Sequence, residues 1–233
     1  MITTKTDTHI KIKVVHSPGM PPSKIRDIEY TWEEVKEIIR DNKLEKFARS
    51  LHQTENYHNF KAQLQKNHTT IFKHLLSNEL KWYEPKDNGG MSWDEVVQNR
   101  IPDNQIVINP ASYKLFTNPD DLKIVPNHFP YYFEDDVTHM CVWTKLRIEP
   151  DETSPIGDIS PATREIIEKY VCKTFVDGMG IDRENIVWFK NWEALQSVKT
   201  ISHLHVLVKG MTEAQLELVL YKPGEVLTPS DMK

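Results

Sequence analysis

The apolar period of this chain changes after residue 104, from a helical repeat to short β-branched runs, and no fold built from one element type accommodates both halves. Upstream, Thr31 and Glu34 form a capping box, and Trp32, Val35, Ile38 and Ile39 then mark one helical face. The spacing predicts a second helix through Leu44, Phe47, Ala48 and Leu51, a third through Tyr57, Phe60 and Leu64, and a fourth through Ile71, Phe72, Leu75 and Leu76. A loop over residues 84–90 precedes a second capping box, Ser92 with Glu95, which opens a short helix.

Downstream, the runs 106–108, 122–125, 140–143, 186–189 and 204–208 are bounded by Pro, Asn and Asp and read as strands, with Leu216 to Tyr221 as a last one. Between the third and fourth runs lies one long helix, capped by Ser160 with Pro161 in its first turn. The expected architecture is α+β, a mainly antiparallel sheet carrying one long helix, joined to an N-terminal helical subdomain. The boundaries are an arm over 1–27, helices over 28–104, the α+β unit over 105–222 and a tail over 223–233, all within one compact unit of 233 residues.

Composition narrows the function classes. A net charge of −5 and a pI near 6.1 give no electrostatic footprint for nucleic acid or an anionic membrane. No stretch reaches the roughly 20 apolar residues of a membrane span, and the start lacks an apolar signal core. A cytosolic or nuclear protein is expected. Cys141 and Cys172 each sit in an apolar run and read as buried small side chains, not as a disulfide framework or zinc site.

The segment Gln196-Ser197-Val198-Lys199-Thr200-Ile201-Ser202-His203-Leu204-His205 concentrates the candidate chemistry. Alternation across a strand aims His203 and His205 one way and Leu204 and Val206 the other. Such a pair can be structural, can hold a phosphate and supply a nucleophile, or can bind a metal if His139 adds a third donor. No metal or cofactor is required by the second of these readings.

Around that strand stand Asn127-His128-Phe129-Pro130-Tyr131, then His139-Met140-Cys141-Val142-Trp143, the long helix, and Ile186 to Asn191. This order resembles the histidine-triad superfamily, whose half-barrel passes from a Gln-Ser or Gln-Thr phosphate loop into a His-x-His strand. The resemblance implies a nucleotide or nucleotide-sugar phosphate as the ligand, hydrolysed or transferred through His203 or His205. In it Gln196, Ser197, Asn191, Asn127, Lys190 and His139 would contact the phosphate or the rest of the ligand. His203 lies seven residues after Gln196, further than in that superfamily. A short insertion puts Ile201, His203 and His205 in the triad positions, and a longer one puts His203, His205 and Leu207 there.

Thr31-Trp32, Lys81-Trp82, Trp188-Phe189-Lys190-Asn191-Trp192 and Ser202 to Val206, together with the motifs above, are also similar to the fungal N-acetylglucosamine-induced protein family, a domain of unknown function. His128 stands where that family usually carries an acidic residue. The resemblance leaves two expectations open: a histidine-dependent hydrolase or nucleotidylyltransferase, and a non-catalytic protein of the amino-sugar response with a degenerate triad.

Overall fold

The computed structural model describes residues 25–232. The expected arm over residues 1–27 falls largely outside them, and within its described end Ile25 bridges Arg49. Four strands, β1 (Leu122–Pro126), β2 (Val137–Thr144), β3 (Ile186–Phe189) and β4 (Ser202–Lys209), form an antiparallel sheet in the order β1-β2-β4-β3. Helices α1 (Trp32–Arg40), α2 (Leu51–Lys66), α3 (Ile71–His74, continued as a π-helix to Leu80) and α4 (Trp93–Gln98) precede the sheet. Helix α5 (Pro161–Val171, with a π-helical continuation to Asp177) joins β2 to β3, and α6 (Glu213–Val219) follows β4. Among the described residues no helix is long and apolar enough to cross a membrane.

Both faces of the sheet are covered, which explains why its central strands are apolar almost throughout. Ile124, Met140, Val142, Leu204, Val206 and Val208 turn to one face and pack against Ile167, Tyr170, Val171 and Phe175 of the long helix. On the opposite face two clusters meet the N-terminal helices. Phe72, Leu75 and Leu76 pack on Val125, Cys141 and Trp143. Trp32, Val35, Ile38 and Phe47 pack on Phe189 and Leu207. The candidate site lies where these two clusters adjoin.

The local signals at Thr31, Ser92 and Ser160 cap helices as their sequence requires. Other expectations are corrected. Leu44 to Leu51 is not a helix: a 3-10 turn covers Leu44–Lys46, and the backbone then extends so that Ala48 O accepts from Tyr132 N (3.0 Å) and Arg49 O from Arg26 N (2.9 Å). The expected third helix begins earlier, at Leu51 behind the Ser50 cap. Leu216 to Tyr221 is mostly helix, because Thr212 and Gln215 form a capping box at its start. The chain leaving that helix covers the β1 edge, with Tyr221 N to Ile124 O at 2.7 Å and Ile124 N to Lys222 O at 2.9 Å.

Ile106-Val107-Ile108 is likewise not a strand. The amide of Asn88 takes both backbone groups of Val107, accepting from its N–H at 2.8 Å and donating to its carbonyl at 3.1 Å. Asn88 is 7% exposed, so Asn88→Ala leaves buried polar groups unpaired and is expected to cost about 2 kcal/mol. Urea unfolding checks this; an unchanged midpoint would mean that the loop finds other partners.

Candidate functional site

The antiparallel register sets Cys141 opposite His205 and Trp143 opposite His203, with His139 further along β2 on the same face. Period-two alternation thus gathers three imidazoles, a thiol and an indole between the two clusters. His139 Nε2 lies 2.9 Å from His205 Nδ1, and Cys141 Sγ lies 3.5 Å from the same nitrogen. Asn127, at the end of β1, reaches His139 Nε2 with its Nδ2 at 3.1 Å and accepts from Phe129 N at 3.0 Å. Asn191, just past β3, places Nδ2 3.2 Å from His205 Nε2. Ring stacking fixes the planes: Phe189 on His205 at 4.6 Å and Trp143 on His203 at 4.1 Å between centroids.

A pocket of about 440 Å³ opens over this group, within the range of small-molecule sites. Its floor includes His203, His205, Cys141, Trp143 and Asn191. Helices α2 and α3 supply walls through Tyr57, Phe60, Ile71 and Leu75, the turn after β1 adds Asn127, His128, Phe129 and Tyr131, and Arg49 brings a cation. The Arg49 guanidinium stands over the Tyr57 ring at 4.7 Å and donates to Phe129 O at 2.9 Å.

Electrostatically the floor is neutral. Burial pushes His139 and His203 down to about 3, helped by the Arg49 charge near His139 and that of Lys190 near His203. Burial also holds His205 well below its usual range and pushes the Cys141 thiol up to about 12. Each ring therefore carries one N–H and one lone pair near neutral pH. Among the described residues, three buried polar atoms of this floor have no protein partner: His203 Nδ1, Asn191 Oδ1 and Trp143 Nε1.

Of the residues singled out from the sequence, His203, His205, His139, Asn127, Asn191 and Ser197 converge here, Ser197 at the rim where its Oγ accepts from Tyr57 OH at 3.2 Å. Gln196 and Lys190 do not. Gln196 Nε2 donates to the Asn191 carbonyl at 2.7 Å and faces an adjoining groove with Lys61, Gln65 and Lys199. Phe189 turns toward His205, so the next residue, Lys190, turns away and is buried with Arg147, Asp158 and Glu149 nearby. Two further pocket residues are not among the sequence candidates: Cys141, buried as its apolar run predicts, and Arg49. For Cys141 the signal was present, since it stands two residues after His139 on one strand; for Arg49 there was none.

Comparison with known proteins agrees with this picture of the fold. The chain is 42% identical to N-acetylglucosamine-induced protein 1 of Candida albicans over 229 residues, 97% of this chain and 87% of the relative. It is 29% identical to an uncharacterized Saccharomyces cerevisiae protein, YPL067C, over 77% of this chain and 78% of that one. The crystal structure of HTC1 superposes with a TM-score of 0.55 at 25% identity, covering 81% of this chain and 92% of that one. The family model described as protein of unknown function (DUF3605) matches residues 31–209. On the span of that match and the identity to the Candida protein, this chain belongs to the DUF3605 family.

Proposed function

We propose that the pocket binds a nucleotide or nucleotide-sugar, with its phosphate against His203 and Arg49. One observation carries the reading: His203 lines the pocket, is neutral, and has a buried Nδ1 without a partner among the described residues, whereas His139 and His205 are held by their neighbours. A buried polar atom left unpaired costs about 1–3 kcal/mol, so a ligand that pairs it recovers that energy. Arg49 supplies charge for a phosphate, and Tyr57, Phe60, Phe129 and Trp143 supply aromatic surface for a base or sugar. In this reading His203 is also the histidine available as a nucleophile, its lone pair attacking phosphorus as the leaving oxygen departs. The likeness to histidine-triad chemistry is part of the same proposal.

The Candida relative is named for induction by N-acetylglucosamine, which makes UDP-N-acetylglucosamine the first compound to try. Calorimetry against a panel of nucleotides and nucleotide-sugars should give binding that weakens at least roughly tenfold, about 1.4 kcal/mol, in His203→Gln with the melting temperature unchanged. A phosphoramidate adduct on His203 by mass spectrometry would establish turnover. Binding without adduct or turnover supports a sensor instead, a reading favoured by His205 having both ring nitrogens engaged. Failure of every phosphate compound to bind would overturn the proposal.

A further inference from the structure

We propose that His139, Cys141 and His205 form a transition-metal site, and that zinc is the ion their donor set fits. The proposal does not rest on the nucleotide reading, because His203 is outside the ligand set. One ring nitrogen each of His139 and His205 and the Sγ of Cys141 lie within 4.8 Å of one another, and all three residues are buried. In a tetrahedral zinc site with bonds of about 2.0–2.1 Å to nitrogen and 2.3 Å to sulfur, neighbouring donors sit roughly 3.3–3.8 Å apart. The sulfur-to-His205 separation of 3.5 Å already matches. The two nitrogens, 2.9 Å apart, need to open by only about half an ångström to admit the ion.

The scaffold favours such a site over a chance cluster. All three donors project from the two central strands, whose register fixes Cys141 opposite His205, and residues on paired strands are held more closely than residues on loops. Two neutral imidazoles and one thiolate form a nitrogen-and-sulfur set suited to zinc rather than to calcium or magnesium. Metal-binding histidines are usually oriented through their second nitrogen, and Asn191 occupies that place at His205 Nε2. Turning the Asn191 amide by half a rotation brings its partnerless oxygen to accept from that N–H, which frees the Nδ1 lone pair. On the other side, Asn127 Nδ2 gives up its 3.1 Å contact with His139 Nε2, while its oxygen keeps the Phe129 N–H.

Binding converts the Cys141 thiol to a thiolate: the sulfur–metal bond forms, the S–H bond breaks, and one proton leaves to solvent for each ion bound. Cys141 and His205 line the pocket, so the fourth position is filled from there, by water or by a donor atom of the pocket ligand.

The test uses the full chain, stripped with a chelator and titrated with Co²⁺ and then Zn²⁺. The expected result is one ion per chain, visible tetrahedral cobalt bands, and a near-ultraviolet thiolate-to-cobalt band that zinc displaces. Cys141→Ser should abolish the thiolate band and weaken binding by roughly a hundredfold or more, whereas Cys172→Ser and His203→Gln should leave both intact. If Cys141→Ser fails to fold, zinc-edge X-ray absorption on the unaltered chain decides, with one sulfur and at least two imidazoles expected. Absence of stoichiometric binding, a sulfur-free coordination shell, or a thiolate band that survives Cys141→Ser overturns the proposal. Because His203→Gln spares the metal and weakens only the pocket ligand, failure of the metal site and failure of the nucleotide reading are told apart.

Discussion

Through His139 and His203 alone, lowering the pH from 7 to 5 is expected to cost the metal-free chain about 4 kcal/mol of stability. His139 and His203 are held at about 3 in the fold against an ordinary value of 6.5. Their folded values are depressed, so the unfolded chain takes up protons first as the pH falls. The associated stability is complete above 6.5 and is lost progressively down to about 3, at about 1.4 kcal/mol per pH unit for each histidine. His205 moves in the same direction. A loss of that size is a large part of the 5–15 kcal/mol typical of a domain. Urea midpoints measured at pH 7 and pH 5 on chelator-treated protein check it, and His203→Gln should remove one histidine's share of the slope. Equal midpoints at the two pH values would show that the rings are solvated in the fold.

The same burial explains how much of the site could be read from the sequence. Alternation along Ser202–Lys209 fixes the side of the sheet that His203 and His205 face, because a strand leaves each side chain only two directions. Capping boxes fix helix starts by local hydrogen bonds, and these were legible at Thr31, Ser92 and Ser160. The contacts that make the site are not local. His139 meets His205 only because β2 pairs with β4 in one particular register, and nothing in either strand alone specifies that register. Arg49 enters the pocket because the backbone of Ala48 and Arg49 bonds to Tyr132 and Arg26, which turns an apparent helix into an extended segment. Gln196 reads as a phosphate contact by its place before Ser197, whereas in the fold its Nε2 donates to the Asn191 carbonyl and its side chain faces the adjoining groove. Composition could not separate Cys141 from Cys172, since both stand in apolar runs. Their difference is the neighbour: Cys141 faces His205 and Cys172 faces Glu168.

Gly224→Ala is expected to cost about 3–4 kcal/mol, far more than an ordinary glycine substitution. Gly224 has φ of +69°, a left-handed backbone that costs an L-residue about 1–2 kcal/mol. A Cβ there would lie 2.6 Å from the Tyr170 hydroxyl and 2.8 Å from Thr174 Cγ2 and Oγ1. Neither neighbour can withdraw cheaply. Tyr170 is fully buried, donates to Pro223 O at 2.7 Å and stacks on Phe116 at 4.6 Å, while Thr174 Oγ1 accepts from Glu225 N at 3.0 Å. These bonds fasten the segment after α6 to the long helix, so crowding at Gly224 loosens the whole cover on that side of the sheet. Gly210 is the comparison: its φ is also +69°, but its Cβ would meet nothing within 4 Å. Gly210→Ala should therefore show the backbone cost alone, about 1–2 kcal/mol. Urea unfolding of both variants separates the terms, and equal losses would mean that Tyr170 and Thr174 give way without cost and that the C-terminal segment is less tightly held than its hydrogen bonds imply.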